Sequence, residues 1–257
     1  TVASRTTSGL FRHIEDLQGD QPWGSFLDAG TGLHSMGWIS QLSTERWTAV
    51  TGAPGDAERV RAAMQGIQRA DDRIVLGNWA SADLLKGETY DTVLADYLLG
   101  AVEGFAPYFQ AYLLPRLRPV TRKVLYLTGV EPYVPSNRPE SKAGRLVWEI
   151  GRFRDACLLL TGEMPYREYP SAWVSDQLKR ARFEVRSVKR IEVRYQESFV
   201  TSQTNLDLLP LDQLPDRARA DALKVRGEKL RDEALELIRT DGALVHGHKY
   251  VIAAQPV

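Results

Sequence analysis

The sequence predicts an α/β fold built as a doubly wound, mostly parallel sheet, and three observations carry that prediction. Five short apolar runs alternate with helix-patterned segments between residues 25 and 131, the order of a parallel sheet wound through crossover helices. The first run stops at Asp28-Ala29-Gly30-Thr31-Gly32, a glycine-broken turn that leads straight into an apolar-periodic segment. Asp28, Thr51, Asn78, Asp96 and Glu131 fall at the ends of the five runs, the edge at which such sheets bind ligands.

Each element follows in order. Thr1–Ser8 is polar, and Leu10, Phe11, Ile14 and Leu17 then recur at helical spacing, giving a short amphipathic helix that carries Arg12 and His13. Phe26-Leu27 is the first strand, and Leu33–Leu42 the helix after the glycine turn, whose start offers free N–H groups. Trp47–Thr51 is the second strand, closed by Gly52, Pro54 and Gly55, with a helix over Asp56–Arg69 and Asp56 near its cap. Arg73–Gly77, Tyr90–Asp96 and Lys123–Thr128 are strands three to five, with a helix around Ala106–Leu117.

The second half has more than a minimal fold needs. A polar, proline-bearing loop precedes a helix over Gly144–Leu160, whose apolar face is Leu146, Val147, Ile150, Phe153, Cys157 and Leu158. Ser171–Arg182 is a helix with Trp173, Val174 and Leu178 inward, and Phe183–Val193 a sixth strand. Leu206, Leu208, Leu209, Leu211 and Leu214 lie in a loop before a charged helix over Asp216–Arg239, and His248–Ala254 is the last strand. Charges of alternating sign mark the charged helix as a surface element packing on the domain or on a second copy of the chain, so a homodimer is allowed.

Composition narrows the classes. The 257 residues suffice for a single domain over 1–257. Thirty-three Lys and Arg balance 33 Asp and Glu, which argues against a broad surface for nucleic acid or anionic membrane. Cys157 stands alone, so neither an intramolecular disulfide nor a thiolate metal centre is expected. No apolar run reaches membrane-spanning length, and no signal pattern opens the chain; a cytoplasmic location is expected, compatible with a targeting segment upstream of Thr1.

The glycine turn resembles motif I of the class I S-adenosylmethionine-dependent methyltransferases, an Asp/Glu-x-Gly-x-Gly pattern ending the first strand. Tyr90-Asp-Thr-Val-Leu-Ala-Asp96 resembles that family's motif IV, and Gly77-Asn78-Trp79 stands where the family carries Gly-Asp and an apolar residue. The resemblance covers about residues 25 to 131. It implies a seven-stranded Rossmann-like sheet with the last strand antiparallel, and helical insertions after strand five and between strands six and seven. The first, 134–170, would cover the substrate; the second is 194–246.

By the same resemblance S-adenosylmethionine is the cofactor, bound by Asp28, Gly30, Thr31, Gly32, Thr51, Asn78, Trp79 and Asp96. Asn78 would read the adenine and Trp79 wall it. Asp96, Tyr97 and His34 are the catalytic candidates, with His34 a candidate general base. Glu131, Tyr133, Trp148, Arg152 and Tyr166 are the substrate-binding candidates, joined by Arg154, Arg167 and Tyr169 in an aromatic, partly cationic group suited to a small polar acceptor. One departure stands out, since Thr51 and Gly52 hold the place where many such folds put a ribose-binding carboxylate.

Methyl transfer from a sulfonium is an in-line displacement that requires alignment and, for some acceptors, proton removal, but no metal. The chain has no metal-binding His spacing, no Gly-x-Ser-x-Gly elbow and no phosphate-binding Gly-Lys-Ser/Thr. Three other readings remain open. One is methylation of a protein or RNA partner, which the neutral charge and the covering insertion disfavour. Another is an NAD(P)-dependent oxidoreductase, which lacks its third glycine at Ser35 and its acid or Arg at the second strand's end. The last is a non-catalytic subunit of the same fold.

Overall fold

Every residue of β1 (Ser25–Asp28) is buried, as a strand with neighbours on both sides of a parallel sheet should be. The computed structural model describes residues 8–134, 137–205 and 211–257; the polar start Thr1–Thr7 and the loop residues Leu206, Leu208 and Leu209 lie outside them. β1 pairs in parallel with β2 (Arg46–Thr51) and β4 (Tyr90–Asp96), β2 with β3 (Arg73–Leu76), and β4 with β5 (Thr121–Val130). With β6 (Phe183–Tyr195) and β7 (Leu244–Pro256) the sheet has seven strands in the order β3-β2-β1-β4-β5-β7-β6, mostly parallel with β7 antiparallel and flanked by helices. The expected fold class is therefore the observed one.

Helix boundaries moved for local reasons. α1 (Gly9–Gln18) is capped by Ser8, whose hydroxyl accepts from Phe11 N. α2 (Leu33–Ile39) stops three residues short of the expected Leu42. α3 (Pro54–Met64) starts at Pro54 and ends well before Arg69; a proline in the first helical turn gives up no hydrogen bond, so the residue read as a breaker is the start. After the short α4 (Leu98–Ala101), α5 (Gln110–Leu117) begins four residues later than expected, because Tyr108 adopts φ +66, outside the helical region. α6 (Lys142–Leu160), capped by Ser141, and α7 (Ser171–Arg180) fall close to expectation. The seven-residue α8 (Glu197–Gln203) buries only Val200 and has no sequence counterpart. α9 (Arg217–Asp241) takes Asp216 as its cap and stops at Gly242 in the left-handed region, φ +80.

The chain divides into two compact units. The first holds the described residues up to Gly129 with Tyr169–Arg190 and Tyr250–Val257; the second holds Val130–Glu168 and Ile191–Lys249, which take in nearly all of 134–170 and 194–246. The first unit's core joins Leu27, Val50, Tyr90, Val93, Leu113, Leu125, Val174 and Ile252. Each such fully buried aliphatic side chain contributes about 1.5–3 kcal/mol by leaving water. The second unit's core packs Val147, Ile150, Phe153 and Cys157 of α6 with Leu230, Ala234 and Ile238 of α9, so the apolar stripe of the charged helix is covered within its own unit.

Candidate functional site

The glycine turn is stitched to the strands beside it. Ala29 N donates to Leu94 O at 2.8 Å, Thr31 N donates to Val50 O at 2.7 Å, and Trp79 Nε1 donates to Ala29 O at 2.6 Å. Gly30 is required by a close approach, since a Cβ there would lie 2.9 Å from Leu98 Cδ1. Around Gly32 the space is open, with no atom within 4 Å of such a Cβ. Ser35 is committed to this turn, its hydroxyl accepting from Gly32 N and donating to Gly32 O, both at 3.2 Å. Trp79 is 3% exposed and belongs to the core, so it supports the turn from below.

Asp28 ends β1 fully buried, and neither carboxylate oxygen has a hydrogen-bond partner; the buried Thr31 hydroxyl has none either. Burial pushes the Asp28 pKa up to about 7. The Ser35 and Thr31 hydroxyls and the Gly30 amide pull it down from nearby, without bonding geometry, while the charge of Asp96 pushes it further up. A buried acid with two unpaired oxygens is costly by itself and is complementary to a cation carrying N–H donors.

Asp96 ends the neighbouring β4. Thr128 on β5 donates its hydroxyl to Asp96 Oδ1 at 2.5 Å. Burial raises the Asp96 pKa, against the Thr128 hydrogen bond and the charge of His34. Tyr97 follows in the left-handed region at φ +50, a strained position for a non-glycine residue, and its amide donates to Thr128 Oγ1 at 3.1 Å. His34, exposed near the start of α2, stacks on Phe11 of α1 with centroids 4.9 Å apart, and Phe11 stacks on Trp38 at 4.4 Å. The structure thus gathers Asp28, Thr31, His34, Asp96 and Tyr97 at the ends of β1 and β4. Thr128, Phe11 and Ser35 were not read as site residues; a lone Thr or Ser carries no motif.

At the ends of β2 and β3 the polar side chains bond to the chain itself. Thr51 Oγ1 accepts from Ala53 N at 3.2 Å, Asn78 Oδ1 accepts from Ala80 N at 2.9 Å, and Asn78 Nδ2 donates to Phe105 O at 2.8 Å.

The five substrate candidates all lie in the second unit. Glu131 directly follows β5, its amide donating to His248 O at 2.7 Å. Tyr133 packs on Tyr195 and Phe199, and burial lifts its pKa to about 12. Arg152 sits 4.7 Å over the Trp148 ring and Arg154 5.7 Å over Tyr166. Glu168, which the sequence reading passed over, is lifted to about 7 by burial, with Arg154 opposing. Among the described residues no group of three or more His, Cys, Asp or Glu could hold a metal ion, and no helix is long and apolar enough to cross a membrane.

This sheet order with its glycine turn is the class I S-adenosylmethionine-dependent methyltransferase fold. No family model and no curated protein matches the chain. Solved structures do. A suspected methyltransferase of Bacillus halodurans superposes with a TM-score of 0.59 at 13% identity, covering 97% of this chain and 99% of that one. Coclaurine N-methyltransferase bound to N-methylheliamine and S-adenosylhomocysteine gives a TM-score of 0.56 at 16% identity, with 96% and 71% coverage. The [4+2]-cyclase SpnF gives 0.53 at 13% identity, with 95% and 80%. These likenesses establish the fold; a cyclase among them shows that the fold alone does not name the reaction.

Proposed function

We propose that the chain is an S-adenosylmethionine-dependent methyltransferase acting on a small-molecule acceptor. The observation that carries this reading is the buried, unpartnered Asp28 carboxyl beside the unpartnered Thr31 hydroxyl, coupled to the raised carboxyl of Asp96. Asp28 has no donor, Asp96 at the adjacent strand end has the Thr128 hydroxyl at one oxygen, and the charge of Asp96 works against ionisation of Asp28. A ligand with a sulfonium and an α-ammonium group supplies both the charge and the N–H donors that Asp28 lacks, so the residues present fit this cofactor.

Asp28 and Thr31 would hold the cofactor's cationic end, with Gly30, Gly32, Thr51, Asn78 and Trp79 shaping the backbone around it. When bound, S-adenosylmethionine supplies an electrophilic methyl group on a good leaving group. The chain's own part is to align the acceptor and take its proton. Asp96 suits the second task at Oδ2, because Oδ1 is already engaged by Thr128 and the raised pKa makes the carboxylate a stronger base. His34 and Tyr97 stand beside it as further polar groups. Glu131, Tyr133, Trp148, Arg152 and Tyr166 are assigned to the acceptor by their aromatic and cationic chemistry.

Calorimetric titration with S-adenosylmethionine, S-adenosylhomocysteine and NAD tests the reading. Binding of both sulfur ligands, lost in Asp28→Ala, is expected; failure of both to bind folded protein overturns it. Methyl-labelled cofactor incubated with a small-molecule extract, and separately with protein and RNA, then tests the acceptor class by where the label goes.

A further inference from the structure

Many nucleotide-binding α/β folds place a sugar-binding carboxylate at the end of the second strand, about 20 residues past the glycine turn. Here that place belongs to Thr51 and Gly52, and a phenyl ring lies upon it. A Cβ on Gly52 would fall 2.8 Å from Phe105 Cδ1 and 3.2 Å from Cγ and Cε1, so only glycine lets the ring rest on the strand end. The ring is seated through its backbone. Asn78 Nδ2 holds Phe105 O at 2.8 Å, and the wholly buried Glu103 fixes the following segment by accepting from Tyr108 N at 3.0 Å and Gln110 Nε2 at 2.6 Å.

Phe105 is nevertheless 41% exposed, and it has no ring contact with another aromatic among the described residues. An anchored, part-exposed aromatic can serve as a stacking surface, and a nucleobase is a flat π-system of matching chemistry. The side chains beside it offer sugar hydroxyls no carboxylate: Gly52 has no side chain, and Thr51 brings a single hydroxyl, one of whose lone pairs is taken by Ala53 N.

We propose that Phe105 holds the nucleoside end of the cofactor by stacking against its base, and that the ribose hydroxyls go unread. The inference rests on the methyltransferase reading and adds a specificity to it: the ligand is selected at its base and at its amino-acid end, not at its sugar. Phe105 and Gly52 together stand in for the missing carboxylate.

Calorimetry with S-adenosylhomocysteine and its 2′-deoxy analogue on wild type, Phe105→Ala and Phe105→Leu tests this. Wild type is expected to bind the two ligands within about threefold of each other, and both variants to lose about fivefold or more for each ligand. Thermal melts confirm folding, and Phe105→Leu separates loss of the ring from loss of apolar bulk. A wild type that rejects the deoxy analogue by about thirtyfold, or a Phe105→Leu variant that binds as tightly as wild type, overturns the proposal while leaving the cofactor reading intact. A folded wild type that binds neither ligand overturns both.

Discussion

Thr128 donates its hydroxyl to Asp96 Oδ1 at 2.5 Å and accepts the Tyr97 amide at 3.1 Å, so one buried side chain on β5 orients both polar residues at the end of β4. Thr128→Val keeps the shape and removes the hydroxyl. It takes the Thr128 hydroxyl away from the Tyr97 amide and from Asp96 Oδ1, a cost of about 1–3 kcal/mol in a urea melt. Because that hydrogen bond holds the raised Asp96 pKa down, its loss moves the pKa further up. The acid limb of the kcat/KM profile therefore shifts to higher pH, and Thr128→Ser restores it. A destabilised variant with an unmoved profile would remove Asp96 from the role of base.

Gly30 and Gly32 separate packing from ligand access. Gly30→Ala drives a methyl group to 2.9 Å from Leu98 Cδ1, and overpacking of this kind costs about 1–3 kcal/mol. Gly32→Ala meets nothing within 4 Å at a negative φ, so its melting temperature stays near that of wild type. Its methyl group enters the open space beside the turn, and its affinity for S-adenosylhomocysteine falls about tenfold or more. Normal binding by a folded Gly32→Ala would place the ligand away from this turn.

The sheet was legible because buried strands advertise themselves. Tyr90–Asp96 reads as an apolar run bounded by turn residues and forms a strand over the same residues, and the polar strand ends Asp28 and Asp96 converge as such a sheet requires. Local pattern was weaker where backbone conformation decided the outcome, as at Pro54, which begins α3, and Tyr108, whose positive φ delays α5. α8 offered one buried residue in seven and no periodicity. Of the site, the motif residues were visible and their partners were not. Nothing near residue 105 announces that its ring rests on Gly52, and nothing near Thr128 announces Asp96, because these pairs meet only through strand order.

Glu168 gives the second unit a pH dependence. Burial raises its pKa from 4.5 to about 7, so between those values the folded protein binds more protons than the unfolded chain. This group's contribution to stability therefore falls as pH rises through that window. Glu168→Gln removes this group's share of the slope, and melting temperatures between pH 5 and 8 become flatter than in wild type. Arg154→Met removes the opposing cation, moves the Glu168 pKa further up and extends the decline to higher pH. Parallel wild-type and Glu168→Gln curves would show that the carboxyl is solvated as in the unfolded chain.

Asp28 makes the sharper prediction, because its pKa links folding to ligand binding. Burial raises it from 3.8 to about 7, so the folded state holds a proton that the unfolded chain has released, and stability is lost as pH rises from about 4 through 7. The Asp28→Asn variant has no such loss. Between pH 5 and pH 8 its stability relative to wild type should grow by about 2–3 kcal/mol, read as diverging urea midpoints. A cationic ligand acts in the opposite sense, since positive charge beside the carboxylate lowers its pKa and expels the proton. Near pH 7, calorimetry in buffers of different ionisation heat should record proton release on S-adenosylmethionine binding, and less with S-adenosylhomocysteine, which lacks the sulfonium. Asp28→Asn should bind weakly and release none. Equal proton release by wild type and variant would mean that the linked group is elsewhere, and that Asp28 is not the acid that meets the ligand's charge.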